Sequence, residues 1–205
     1  MVGIAFIGGD GPAPERARAL ARDADLIVAA DSGLIAAENA GIRPDWIVGD
    51  MDSLDAPTRL EKYPATRIMR SKVEKDETDT ELALKLLTAQ GCTQTRLIGG
   101  GGGRIDHLFA IRALFDRPLC PDRWYTTNED IYCVQSGCTM KEERELGSLV
   151  SVFPVWEGPW SAQSSGLRWP LDDIAWNRGF CGISNFTTKD QFTISSKQGR
   201  FLVIY

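Results

Sequence analysis

Over roughly the first 115 residues, short apolar runs alternate with helical periods, and after that the alternation stops. The runs at 2–7, 26–30, 46–48, 67–69 and 96–98 read as strands. Between and after them, 14–22, 34–40, 57–62, 80–90 and 107–115 read as helices. Consecutive parallel strands need a crossover, and a helix is the usual one, so the alternation predicts a mostly parallel sheet flanked by helices. Beyond Phe115 the prolines Pro118, Pro121, Pro154, Pro159 and Pro170 interrupt the chain, and five of its six tryptophans follow (Trp124, Trp156, Trp160, Trp169, Trp176). Short β-rich runs at 149–153, 191–195 and 201–205 are separated by glycine turns. The expectation is a Rossmann-like α/β domain over 1–128 followed by an all-β sandwich over 129–205.

Composition narrows the function. A net charge of −5 disfavours nucleic acid or an anionic membrane as partner. No apolar run approaches the roughly 20 residues of a membrane span. The 2–7 run lacks a basic leader and passes into Gly8-Gly9-Asp10, so it reads as a strand rather than a signal peptide. The five cysteines are scattered and odd in number, which points away from a disulfide framework and towards a reducing cytoplasm. With His107 as the one histidine, the usual zinc patterns lack ligands, and any metal should be hard and oxygen-bound.

Aspartates collect where a parallel sheet places its site, past the carboxyl ends of strands. Asp10 follows the first strand, Asp31 the second, and Asp50 and Asp52 the third; Asp106 follows the glycine run 99–103. If that segment is extended, Asp50 and Asp52 face one way. Crowded carboxylates repel unless a cation neutralises them, and Mg²⁺ suits such oxygens while leaving room for phosphate. Single aspartates at turns also serve as helix caps or Asx-turns. Thr78 and Glu81 form a capping-box pattern before the 80–90 helix, which gives Asp79 a structural reading as a first-turn acid. The glycine run suits close approach to phosphate without matching a Walker A loop or GxGxxG. Arg104 after it suits a phosphate clamp, and Asp106 the same metal. His107, at the start of an amphipathic stretch, reads as structural or ligand-orienting.

Gly49-Asp50-Met51-Asp52-Ser53, Lys75-Asp76-Glu77-Thr78-Asp79-Thr80-Glu81 and Gly102-Gly103-Arg104-Ile105-Asp106-His107 occur in an order and spacing that resembles the thiamine pyrophosphokinases. Ser165-Gly166-Leu167-Arg168-Trp169-Pro170-Leu171 and Gly182-Ile183-Ser184-Asn185 are similar to that family's C-terminal motifs. The resemblance implies transfer of the diphosphoryl group of ATP to the thiamine hydroxyl, giving thiamine diphosphate and AMP, with Mg²⁺ as cofactor. It also implies a homodimer with thiamine held in a composite site between subunits. By the same resemblance Asp50, Asp52, Asp79 and Asp106 carry the chemistry, with Asp50, Asp52 and Asp79 as metal ligands. Asp31, Ser32, Gly33, Gly102, Gly103, Arg104 and His107 serve the nucleotide, and Ser184, Asn185 and Trp169 face thiamine. One departure is Ile111, which stands where the family usually has asparagine. Two other readings keep parts of the pattern: a diphosphokinase for another alcohol such as a hydroxymethyl pterin, and a non-catalytic sensor of thiamine or nucleotide.

Overall fold

The computed structural model describes residues 1–51, 57–63, 68–71 and 76–205. The chain divides into two compact units, Met1–Leu114 with Leu119–Asn128, and Phe115–Pro118 with Glu129–Tyr205.

The first unit runs β1 (Val2–Phe6), α1 (Pro14–Leu20), β2 (Leu26–Ala30), α2 (Gly33–Asn39), β3 (Trp46–Gly49), α3 (Pro57–Leu60) and β4 (Ile68–Arg70). It continues with α4 (Asp79–Ala89), β5 (Gln94–Ile98), α5 (Ile105–Leu114) and β6 (Arg123–Tyr125). The strands lie in the order β6-β5-β1-β2-β3-β4, and every pairing among them is parallel. Strands covered on both faces must be apolar throughout, and β1 and β2 are. Ile4 and Phe6 pack against Ala17, Ala21, Ala37 and Ala40, whose small side chains bring α1 and α2 close to the sheet. Ala29, Leu34, Ile47 and Leu60 form a second cluster. Strand order reverses at β1, with β2 on one side and β5 on the other. A parallel sheet opens its ligand crevice beyond the carboxyl ends at such a reversal.

Two boundaries differ from the sequence expectation. α5 begins at Ile105, so Asp106 sits in its first turn. β6, which carries Trp124, adds a sixth parallel strand that the sequence reading omits. Three residues between a proline and a polar turn are too few to show a period.

The second unit contains β7 (Asp130–Val134), β8 (Thr139–Glu143), β9 (Leu149–Val155), β10 (Ser161–Ser165), β11 (Gly182–Phe186), β12 (Gln191–Gln198) and β13 (Arg200–Ile204). Its antiparallel strands follow two orders, β11-β9-β13-β7 and β10-β12-β8. Val134, Val150, Val152, Phe201 and Val203 from the first group share one core with Met140, Ala162, Phe192 and Ile194 from the second, the packing of a sandwich. The Phe115–Pro118 segment joins this unit because Arg200 donates to the carbonyls of Phe115 at 2.9 Å and Arg117 at 2.8 Å. Asp116 also accepts the Trp156 N–H at 2.6 Å. No helix among the described residues is long and apolar enough to cross a membrane.

Candidate active site

The mouth of the parallel sheet holds a cleft of about 380 Å³. Gly8 and Gly9 reach it from β1, Ala30, Asp31 and Ser32 from β2, and Thr78, Asp79 and Thr80 from the start of α4. His107, Ala110, Ile111 and Leu114 complete it from α5. Their spacing of three, one and three residues places them on one helix face.

Asp31 and Asp79 converge there, and the glycine between them reports how closely. A Cβ on Gly49 would stand 3.2 Å from Asp79 Oδ1 and 3.3 Å from the Cβ of Asp31. The turn after β2 takes Asp31 to φ 47°, while its N–H donates to Val48 O at 2.9 Å. Asp50 follows Gly49 directly, half-buried, and Met51 then takes φ 69°. Left-handed backbone at non-glycine residues costs roughly 1–3 kcal/mol each and persists where surrounding structure enforces it. Asp79 is not needed to cap α4. Thr78 Oγ1 accepts the Glu81 N–H at 3.3 Å and Glu81 Oε2 accepts the Thr78 N–H at 2.8 Å, a complete capping box. Asp79 itself lines the cleft.

These donors are hard carboxylate oxygens, the chemistry Mg²⁺ takes. Among the described residues, no three His, Cys, Asp or Glu side chains stand close enough together to hold a metal ion. Asp52, which the sequence places in the set, lies outside the described residues.

The glycine run has a buried base and an exposed tip. Gly99, Gly100 and Gly101 are buried, Gly102 and Gly103 exposed. Gly101 exchanges both backbone hydrogen bonds with Asp10, at 2.8 and 2.7 Å, and Gly99 takes φ 110° and Gly100 φ 77°. Arg104 and Asp106 stand exposed after the tip and pair with each other. Nε donates to Oδ1 at 3.1 Å and Nη2 to Oδ2 at 2.5 Å. The Arg104 hydrogen bond holds the Asp106 carboxyl below the usual carboxylate range. Exposed pairs of this kind are weak, so the guanidinium can be exchanged to another anion.

In the second unit the three sequence candidates take different roles. Asn185 is buried, and its amide is committed to protein. Oδ1 accepts the N–H groups of Trp169 at 3.1 Å and Phe186 at 2.9 Å, and Nδ2 donates to Trp169 O at 2.7 Å. It holds the Trp169 backbone in place. The Trp169 ring is 55% exposed and packs edge-on against Phe186, with centroids 5.3 Å apart. Ser184, also exposed, takes φ 61°.

Of the sequence candidates, Asp31, Ser32, Asp79 and His107 line the cleft. Asp50 stands beside it through Gly49. Gly102 stands beside Asp10, where an added Cβ would fall on the Asp10 carboxylate. Gly33 is buried with its Cα against the Phe6 carbonyl; no larger residue fits there, and its part is to seat α2 on β1. The sequence reading missed Gly8, Gly9, Thr80, Ala110 and Leu114 as lining residues. For the α5 members the signal was present in their spacing from His107.

Two family models match the chain: "Thiamin pyrophosphokinase, catalytic domain" over residues 17–117 and "Thiamin pyrophosphokinase, vitamin B1 binding domain" over residues 138–201. Together they span well over half of it. The thiamine pyrophosphokinase of Bacillus subtilis is 27% identical over 187 residues, covering 87% of this chain and 86% of the relative. Its crystal structure aligns at a TM-score of 0.80 with 25% identity, over 99% of this chain and 97% of that one. The crystal structure of a thiamin pyrophosphokinase from Geobacillus thermodenitrificans aligns at 0.76 with 27% identity, over 100% and 96%.

Proposed function

The chain belongs to the thiamine pyrophosphokinase family, and from that premise we propose that it transfers the diphosphoryl group of ATP to the thiamine hydroxyl, releasing AMP. The observation that carries the reading is the convergence of Asp31 and Asp79 on Gly49 at the sheet mouth, in a chain whose other unit matches a vitamin B1 binding domain. The pterin and sensor readings lose ground for the same reason: the match covers both units, and the carboxylates face a cleft.

The cleft is apolar on its α5 side, along Ala110, Ile111 and Leu114, and acidic at Asp31 and Asp79. That division suits a nucleotide whose base meets the helix and whose phosphates face the loops. Amide groups at the exposed glycine tip, with Arg104 released from Asp106, would orient the phosphate chain. Asp50, Asp52 and Asp79 would hold Mg²⁺, which when bound neutralises charge on phosphate oxygens. The thiamine hydroxyl oxygen attacks the β-phosphorus in line with the departing AMP oxygen. An aspartate, Asp52 or Asp79, accepts the hydroxyl proton as the new bond forms.

Thiamine binding falls to Trp169 and Ser184. An exposed indole on a main chain bracketed by Asn185 suits an aromatic cation. We take the active form to be a homodimer with composite sites, in a cytoplasm whose reducing conditions suit the five free thiols. Mixing Asp79→Asn subunits with Trp169→Ala subunits should then restore part of the activity, because one of the two sites in each mixed dimer carries neither change. No recovery after proven subunit exchange would place both groups in sites formed by one chain.

Phosphorus NMR of a reaction with ATP tests the activity itself. AMP and thiamine diphosphate should form one for one, and only when thiamine is present. ADP as product, or AMP formed equally without thiamine, would refute the proposal.

A further inference from the structure

We propose that Trp124 is a positioning residue for the nucleotide, acting through the glycine loop it supports. This rests on the reading above that the loop receives the phosphates. Trp124 lies on β6, 7% exposed, and its indole Nε1 donates to Gly99 O at 2.7 Å. The same nitrogen would stand 3.3 Å from a Cβ on Gly100, so the ring abuts both residues. Ile7 closes the same pocket; its Cδ1 would lie 2.8 Å from that Cβ, and Ile111 Cδ1 reaches the same point. From β6, Tyr125 O also accepts the Gly99 N–H at 3.0 Å.

The consequence follows from peptide geometry. A trans peptide is planar, with its carbonyl and N–H on opposite sides. By holding the Gly99 carbonyl, the indole fixes the opposite direction for the Gly100 N–H. Glycine at φ 110° and 77° has no side chain to keep that orientation, and its backbone freedom is the greatest of any residue. Asp10 secures the next residue through the two bonds to Gly101. Trp124 and Asp10 thus hold the loop base from two sides, and the exposed tip at Gly102 and Gly103 starts from a fixed frame. A bare glycine run reads as a flexible turn in sequence; here it is a pre-set one. Pre-organised donors bind better because little ordering remains at the moment of binding.

The test compares Trp124→Phe with Gly103→Asp in the full chain. Trp124→Phe removes the N–H and keeps an aromatic ring. It should raise the KM and Kd for ATP roughly three- to tenfold, the worth of one hydrogen bond, with thiamine KM unchanged. Amide exchange across 99–103 should quicken while that of α4 does not change. Trp124→His, which keeps a ring N–H, should recover part of the ATP affinity. Gly103→Asp puts a carboxylate at the tip, where no atom lies within 4 Å of an added Cβ and where aspartate tolerates the left-handed backbone. It should weaken ATP whatever happens at Trp124. If Gly103→Asp weakens ATP and Trp124→Phe does not, the positioning role is wrong and the loop reading stands. If Gly103→Asp leaves ATP binding unchanged, both are wrong. Should Trp124→Phe fail to fold, 3-benzothienylalanine at position 124 removes the N–H alone, with the same expected and overturning results.

Discussion

The two units solve the problem of presenting chemistry in opposite ways. In the first, the backbone forms the site. Loops leave the ends of parallel strands, glycines bring main chain close, and short acidic side chains at Asp31 and Asp79 converge at the mouth. In the second, the site we propose rests on a side chain. The Trp169 indole is exposed, and the buried Asn185 amide brackets the main chain that carries it. The contrast follows the ligands each unit is proposed to take. A phosphate chain needs many donors and a cation, which main chain and carboxylates supply. A flat heteroaromatic cation needs a rigid surface, which one anchored ring supplies.

Charge should be the most sensitive part of that contrast. Asp79→Asn keeps the shape and removes the carboxylate, so turnover should fall by orders of magnitude, several kcal/mol of transition-state stabilisation. The capping box at Thr78 and Glu81 remains, and Tm should barely move. A destabilised variant with full activity would return Asp79 to service of the helix alone.

Removal of the ring comes next. Trp169→Ala should raise thiamine KM roughly 3- to 30-fold, the range for an aromatic face against a cation, while ATP KM is unchanged. An equal rise for both substrates would erase the division of labour.

Asn185→Ala should separate anchoring from contact. Losing the amide leaves the Trp169 main chain without its bracket, at a cost of about 1–3 kcal/mol in stability seen by chemical denaturation. Thiamine KM should rise with it, since the ring loses its fixed seat. Unchanged stability with weakened thiamine would instead make Asn185 a direct contact.

The smallest effect distinguishes structural carboxylates from those at the mouth. Asp122 accepts the Thr95 N–H at 2.7 Å between β5 and β6, and burial pushes its carboxyl above the usual range. The charged form is therefore disfavoured in the folded state, and the group favours folding in acid and loses that contribution as pH rises through its folded value. Asp122→Asn should raise Tm at neutral pH by roughly 1–3 °C. The gain should vanish below the unfolded carboxylate range, in thermal melts taken across pH.

Sequence patterning made the first unit legible because buried parallel strands are apolar throughout and their ends are marked by glycine and aspartate, as at Ala30-Asp31 and Gly49-Asp50. The same patterning was weak in β8 and β10, where Thr139-Met140-Lys141-Glu142-Glu143 and Ser161-Ala162-Gln163-Ser164-Ser165 each bury little, and absent in β6. Of the two acids that line the cleft, Asp31 stood out at a strand end, whereas Asp79 entered through the family resemblance. The α5 wall was marked only by spacing from His107, because Ala110 and Leu114 carry no chemistry of their own. The bonds of Asn185 run to Trp169, sixteen residues away, and spacing does not reveal them.

Calorimetric titration of thiamine and of a non-hydrolysable ATP analogue into two variants, Arg104→Ala and Trp169→Ala, tests the division of labour most directly. Arg104→Ala should weaken the nucleotide and leave thiamine unchanged, and Trp169→Ala should do the reverse. Loss of the same ligand in both variants, or of both ligands in each, would contradict it.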